Sequence, residues 1–503
     1  MMRALLMLGV AVLPVPALAQ SMPGMPGMKM PAKSAPKPKP AAKPIPRRAP
    51  ARPAPASKPK PVGETMSGMD MSAASASADA PQPAAPMAGT DLPAAPAPAQ
   101  PMAGMDMGSD KMPGMDGMAG MAMGSTAFGM GSGTARNPGD DGMMRGLHLT
   151  ADDWTLMLHG YAWGAYTDQS GPRGDAQAFV MSMAMVEARR DLGSDATLTL
   201  RTMLSLDPLT GKRGYPSLLA TGETANGVTP LIDRQHPHDL FMELSARVDV
   251  PLGKGVSGFV YGGPVAEPAL GPSAFMHRNS AKYLPLAPIT HHWFDSTHIT
   301  FGVITVGAYG DRWQIEGSAF RGREPDQDRW DIEAPRLDSW SVRATWNPSA
   351  YWSAQASYGR LESPEALEPG IDEARTTASV QYARGGFSAL AGFSAKNRLP
   401  GRTLTAWIGE ANWNLGEHHS LFGRIENVAN DELFPDPASP FHDRPFRVTR
   451  GELGYAYRLK LIGPIEAAIG GSGFVVGAPR VLDGAYGKSP VGWTGFVKLS
   501  LGG

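Results

Sequence analysis

From Trp154 onward apolar and polar side chains trade places at every second residue, and no apolar run is long enough to make a membrane helix. A period of two sends alternate side chains to opposite faces of a strand. Along Leu240 to Val250 one face holds Leu240, Met242, Leu244, Ala246, Val248 and Val250, and the other Phe241, Glu243, Ser245, Arg247 and Asp249. Trp340, Val342, Ala344 and Trp346 alternate with Ser341, Arg343 and Thr345, and Ala374, Thr376, Ala378 and Val380 alternate with Arg375, Thr377, Ser379 and Gln381. Phe387, Ala389, Ala391 and Phe393 keep the same spacing. Strands with one greasy and one wet face are what a membrane sheet needs, because in lipid only closure into a barrel pairs every backbone amide.

The connections test this expectation. Short turns fall near Gly193-Ser194-Asp195, Gly253-Lys254-Gly255, Gly310-Asp311, Asn347-Pro348, Gly385-Gly386, Gly416-Glu417 and Ile462-Gly463. Between them run mostly longer loops, at 167–176, 207–238, 264–297, 323–337, 361–373, 397–401, 429–445 and 476–490. Short turns alternating with long loops are the membrane-barrel arrangement; a soluble sandwich or propeller has no reason for it. The fold expected is all-β, an antiparallel transmembrane β-barrel of about 16 strands with both ends on the periplasmic side. Trp313, Trp340, Trp346 and Trp352 fit interfacial girdles. The last strand sets Trp493, Val497, Leu499 and Leu501 against Thr494, Lys498 and Ser500, and the chain ends Leu501-Gly502-Gly503 where barrels of this class usually end in an aromatic residue.

What precedes the barrel is different material. Met1, Met2 and Arg3, the apolar run Ala4 to Leu13 and the small-x-small site Ala17-Leu18-Ala19 read as an export signal over 1–19. Residues 20–147 read as a disordered Met/Pro/Ala-rich periplasmic tail, and 148–503 as the barrel. Lys29 to Lys60 carries ten Lys or Arg and no acid among its prolines, a self-repelling polyproline II spacer suited to a tether or to anionic cell wall. With 0 cysteines there is no disulfide, thiolate metal site or lipid-anchor acceptor, and a net charge of −1 argues against a nucleic-acid partner.

Around the spacer lie repeats of the form Met-x-Gly-Met. The candidate metal ligands are Met22, Met25, Met28, Met66, Met69, Met71, Met102, Met105, Met107, Met112, Met115, Met118, Met121 and Met123. Thioethers are soft, neutral ligands suited to Cu(I) and Ag(I), and glycine spacers let sulfurs converge. The competing reading is low-complexity drift, with Met as one more apolar residue. Tandem Met repeats after a signal peptide and before a barrel resemble the copper resistance protein B family, through Met66-Ser67-Gly68-Met69-Asp70-Met71 and Met102-Ala103-Gly104-Met105-Asp106-Met107. That resemblance implies periplasmic copper tolerance, with copper as the bound metal. That family often mixes His into its repeats, whereas no histidine lies between Gln20 and Leu147.

Six of the 11 histidines fall between His236 and His298. His236, His238, His277, His291, His292 and His298 are candidate ligands for Cu(II), Zn(II) or Ni(II), since imidazole suits all three. By resemblance to general porins, the third outer loop, 264–297, folds inward and narrows the pore. The structural alternative has these histidines bracing a Pro-rich loop through Asp233, Asp239, Glu267 and Asp295. In an extended segment His291 and His292 point to opposite faces, so at most one joins a given site, and His298 falls opposite Ile299, Phe301 and Val303. Met181, Met183, Met185 and Met203 share faces with Glu187, Arg189 and Arg201, and either line a soft-metal path or fill space.

No nucleophile elbow, phosphate loop or His-Glu-x-x-His motif occurs, and no enzyme activity is expected. The preferred reading is a barrel with a Cu(I)/Ag(I)-binding tail, in copper binding, tolerance or transport. A general diffusion porin or structural barrel is the alternative, and a barrel hydrolase the third. Expected partners are outer-membrane lipid, metal ions, and either periplasmic copper proteins or cell wall.

Overall fold

The computed structural model describes residues 127–142, 146–193 and 195–502. The export signal, the tail as far as residue 126 and every candidate ligand from Met22 to Met123 lie outside them.

Sixteen antiparallel strands close into one barrel. They are β1 (Trp154–Gln169), β2 (Ala176–Leu192), β3 (Ala196–Leu204), β4 (Phe241–Gly253), β5 (Val256–Ala266), β6 (Thr300–Gly310), β7 (Trp313–Phe320) and β8 (Ser339–Ser349). The second half is β9 (Trp352–Leu361), β10 (Asp372–Arg384), β11 (Phe387–Leu399), β12 (Thr403–Leu415), β13 (His419–Asn430), β14 (Phe446–Lys460), β15 (Ile465–Gly477) and β16 (Val491–Leu501). Each strand pairs with its sequence neighbour, and β16 closes on β1 from Gly492↔Gln169 to Leu501↔Gly160. Below that point the short segment Leu147–Ala151 takes over as partner of β1, so the wall's final pairing is shared between the two ends of the barrel sequence.

Alternation holds around the wall. Val306, Ile315, Trp346, Ile425 and Leu453 stand exposed on the outside, while Ser341, Arg343, Thr377, Glu410, Arg450 and Thr494 are buried inside. An apolar belt of this extent is unfavourable in water and favourable in hydrocarbon, the signature of a membrane barrel. Trp313 pairs with Trp346 and Trp352 with Tyr382 at the end carrying the short turns, where interfacial aromatic rings belong. Two assignments near the loop end are reversed. Phe301 and Val303 on β6 face inward, with Ile304 and Val306 outside, and Met242 is buried because the pairing of β3 with β4 shifts between Met203 and Leu204.

Among the described residues three pieces of chain fill the interior. The loop between β5 and β6 enters from the loop end and runs the depth of the lumen, for Tyr283 donates to Glu466 at the start of β15, 3.1 Å away. The loop between β3 and β4 packs beside it, Tyr215, Leu218 and Leu219 sharing a buried cluster with Tyr283, Leu286, Trp293 and Phe294. The third piece is a finger, Ala127–Gly142, which is folded although it falls within the expected tail of 20–147. Its short strands Phe128–Met130 and Arg136–Pro138 pair with each other inside the turn end of the barrel.

Polar bonds hold the finger there. Arg136 lies 3.5 Å over the Phe128 ring and donates to the carbonyls of Gly310 (3.1 Å) and Trp313 (3.2 Å). Thr134 donates to Glu316 at 2.5 Å and accepts from Arg343 at 2.9 Å. Gly, Ser and Thr made this stretch look like linker, yet Phe128 is the first aromatic residue in the chain and marks where the tail's composition ends.

Candidate functional site

Inside the loop-end half, two loops bring five histidines together. His236 and His238 come from the β3–β4 loop, and His291, His292 and His298 from the β5–β6 loop. His291 is the hub, its ring centroid 5.2 Å from His298, 5.4 Å from His292 and 6.0 Å from His236, and His238 stands 5.4 Å from His298. The expectation that adjacent His291 and His292 diverge fails because the backbone turns into a helical segment, His291–Phe294. His298 belongs to the buried turn Ser296–His298 rather than to the wall. His277 stands apart, nearer the finger, where Asn137 donates to its carbonyl at 3.2 Å.

Each of the five rings is anchored through Nδ1. His291 bonds Asp295 at 2.8 Å, His292 bonds Glu324 at 3.0 Å, and His238 bonds Asp207 at 2.7 Å. His298 reaches the Asp295 carbonyl at 2.7 Å and His236 the Pro237 carbonyl at 3.2 Å. Of the four braces expected from sequence only Asp295 serves; Asp239 pairs with Arg329 and Asp233 with Arg173, while the Glu267 backbone NH donates to Tyr261. An imidazole held at Nδ1 by a carboxylate or carbonyl presents Nε2, the arrangement that orients histidine ligands. The Nε2 atoms of His292 and His298 are buried without a hydrogen-bond partner. Among the described residues no group of three His, Asp or Glu side chains is already gathered to hold a metal ion.

The electrostatics of the nest favour mostly neutral rings. Burial, then the neighbouring rings, holds His236 and His298 well below the ordinary imidazole value. Burial likewise pushes His277 down to about 3, aided by His159, Arg201 and His238. His292 is the exception, since burial is outweighed by the Glu324 carboxylate and its pKa rises, while Glu324 falls. The His292 ring also lies against Gly222, where φ is +101° and an added Cβ would come within 2.4 Å of it. Only glycine fits that backbone.

Arginine and carboxylate pairs tie the filling to the wall. Arg278 bonds Glu410 on β12 and Asp295 in its own loop (3.0 Å), and Arg424 donates from β13 to the same Glu410 at 3.2 Å. Glu410 and Arg424 are buried on the inner faces of their strands, and nothing in the local sequence signals the loop residue they hold.

The lumen-side methionines form a second assembly. Met183, Met185 and Met203 face inward and pack with Met157, Met242 and partly buried Met276, while Met181 joins the aromatic cluster of Trp163, Phe179 and Tyr215.

No family model and no curated protein matches the chain. Solved structures with a similar course include outer-membrane proteins. OmpF of Salmonella typhi, in complex with daunomycin, is 9% identical over 70% of this chain and 100% of its own, with a TM-score of 0.47. An anion-selective porin from Comamonas acidovorans is 12% identical over 69% of this chain and 99% of its own, with a TM-score of 0.43. The outer membrane channel DcaP of Acinetobacter baumannii is 11% identical over 71% and 99%, with a TM-score of 0.41.

Proposed function

We propose that this chain is a porin-type barrel of the Gram-negative outer membrane whose lumen is closed by its own chain, a selective and gated channel rather than an open diffusion pore. The observation that carries this reading is the filled interior: inward residues from β8 to β14 such as Arg343, Arg375, Lys396, Glu410 and Arg450 are buried by loop and finger rather than by an aqueous channel. Ion pairs between filler and wall, Arg278 with Glu410 among them, exchange for water when the parts separate, and the apolar contacts beside them hold the closed state. Planar-bilayer recording of the refolded full chain tests it. A low resting conductance that rises when Ala127–Gly142 is deleted is expected; a large, steady, ohmic conductance in the intact chain overturns it.

A second reading concerns the cargo. The histidine nest inside the barrel, together with the Met-x-Gly-Met repeats, favours a transition metal, with Cu(I) or Ag(I) gathered by the tail on the periplasmic side and copper tolerance as the outcome. Cell wall and periplasmic copper proteins are then the partners the tail would meet. Deletion of the gene followed by growth on graded copper and silver decides, and unchanged tolerance to both removes the metal role while leaving the gated channel in place.

A further inference from the structure

Seven methionines follow Gly146 in the sequence, at 157, 181, 183, 185, 203, 242 and 276. Six of them pack into one lumen-side cluster against β1 to β4. Apolar filling elsewhere in the lumen is done by Leu390, Leu404, Phe422, Val428 and Phe474, so methionine is confined to one sector.

Within that sector the register sets three soft or borderline donors in one row. His159 on β1 lies directly opposite Met185 on β2, and Met185 lies directly opposite Met203 on β3. Directly opposed residues have Cβ atoms about 4.5–5.5 Å apart, and the three rotatable bonds of methionine let its sulfur reach a shared centre between them. The next residue in the row is Glu243 on β4, opposite Met203. Its carboxylate is held by Ser245 (2.6 Å) and Tyr261 (2.9 Å) and stands 3.5 Å from Arg201, which is itself paired with Glu187 at 2.7 Å. The Glu187 and Glu243 carboxylates thus stand beside the thioethers, a surround that favours a cation over an anion.

We propose that His159, Met185 and Met203 form a binding site for a soft monovalent cation, Cu(I) or Ag(I), on the inner wall of the barrel. Two thioethers and an imidazole make a neutral donor set suited to such an ion and poor for Mg²⁺ or Ca²⁺. The site lies beside the finger, whose Gly133 carbonyl accepts from Arg201 at 3.2 Å, and so in the turn-end part of the lumen. It uses neither the tail repeats nor the histidine nest, and it stands whether or not the channel conducts.

The test is metal-dependent stability of the full chain in detergent, in chloride-free buffer. Silver nitrate is the probe, and the temperature at which the compact, fast-migrating form is lost on gels is the readout. An ion bound by the folded barrel raises that temperature, whereas tail sulfurs offer the same ligands to folded and unfolded chains and leave it unchanged. The expected result is a rise of several degrees for the natural chain and none for Met185→Leu/Met203→Leu, whose metal-free transition stays close to the natural one because leucine keeps the apolar volume. An equal rise in the double variant, or no rise in the natural chain, overturns the proposal. Should the double variant not fold, Met203→Leu alone carries the comparison, with a diminished rise expected and an undiminished one counting against the site.

Discussion

Arg278 grips Glu410 through one edge of its guanidinium, Nε to Oε1 at 2.6 Å and Nη2 to Oε2 at 3.2 Å, joining the loop that fills the lumen to strand β12 of the wall. Both side chains are buried. Removing Arg278 leaves Glu410 to Arg424 alone and Asp295 to His291, a loss smaller than the cost of about 3–5 kcal/mol for a wholly unpaired buried charge. Arg278→Ala is therefore expected to loosen the loop while the wall persists, since no ladder bond is touched. More frequent channel openings in bilayer recordings, with barrel migration on gels retained, is the outcome; a conductance unchanged from the natural chain refutes the role of this pair in closure.

Acid weakens the same closure by a calculable sign. His236, His277 and His298 are held below the ordinary value of 6.5, with His277 at about 3. Between those folded values and 6.5 the unfolded chain binds protons that the folded chain refuses, so stability falls as pH drops below 6.5. His292 and Glu324 run on a different window. With His292 raised above 6.5 and Glu324 lowered below 4.5, their mutual stabilisation is full between those values and fades above, as His292 deprotonates. Gel transition temperature against pH should decline from pH 7 to pH 4, and His277→Asn should flatten part of that decline; a level profile in the natural chain contradicts the assignment.

Leu453, 73% exposed in the middle of β14, should meet hydrocarbon. Replacing it with arginine is expected to cost about 2–4 kcal/mol if it sits near the midplane. Denaturant titration of folding into lipid vesicles measures this. A change within error would mean that this part of the wall faces something other than lipid.

For the tail, a synthetic peptide spanning Met102 to Met123 should bind Ag(I) or Cu(I) more tightly than its Met→Leu counterpart. Competition against a chromogenic Cu(I) chelator reads the difference. Equal affinities would return the repeats to the status of apolar linker.

Much of the wall was legible from residues because a membrane strand obeys one rule along its whole length. Trp340 to Trp346 outward and Ser341 to Thr345 inward needed only the period of two, and each turn and loop fell near its expected position. The filling obeys no such period. His291 and His292 share a site because a short helix turns there, which a run of His-His-Trp-Phe does not announce. The partners of His238 and His292, Asp207 and Glu324, lie far along the chain, and nothing local connects them. Phe301 and Val303 face inward because the infolded loop makes the lumen apolar at that level, so alternation persisted while its meaning reversed.

Almost every attachment of the finger involves a side chain. Asn347 and Ser353 donate to its carbonyls, Gln314 reaches the Thr134 carbonyl, and Asp140 makes a main-chain bond to the Ala350 carbonyl. Both its strands rise from the turn end and its tip, at Ser132 and Gly133, reaches Ser273 and Arg201 further in. A bolt whose two legs leave by the same door can be drawn back without unthreading, and its outer leg continues into the long N-terminal segment. Withdrawal of the finger would exchange these side-chain bonds for water while every rung of the cylinder stays intact.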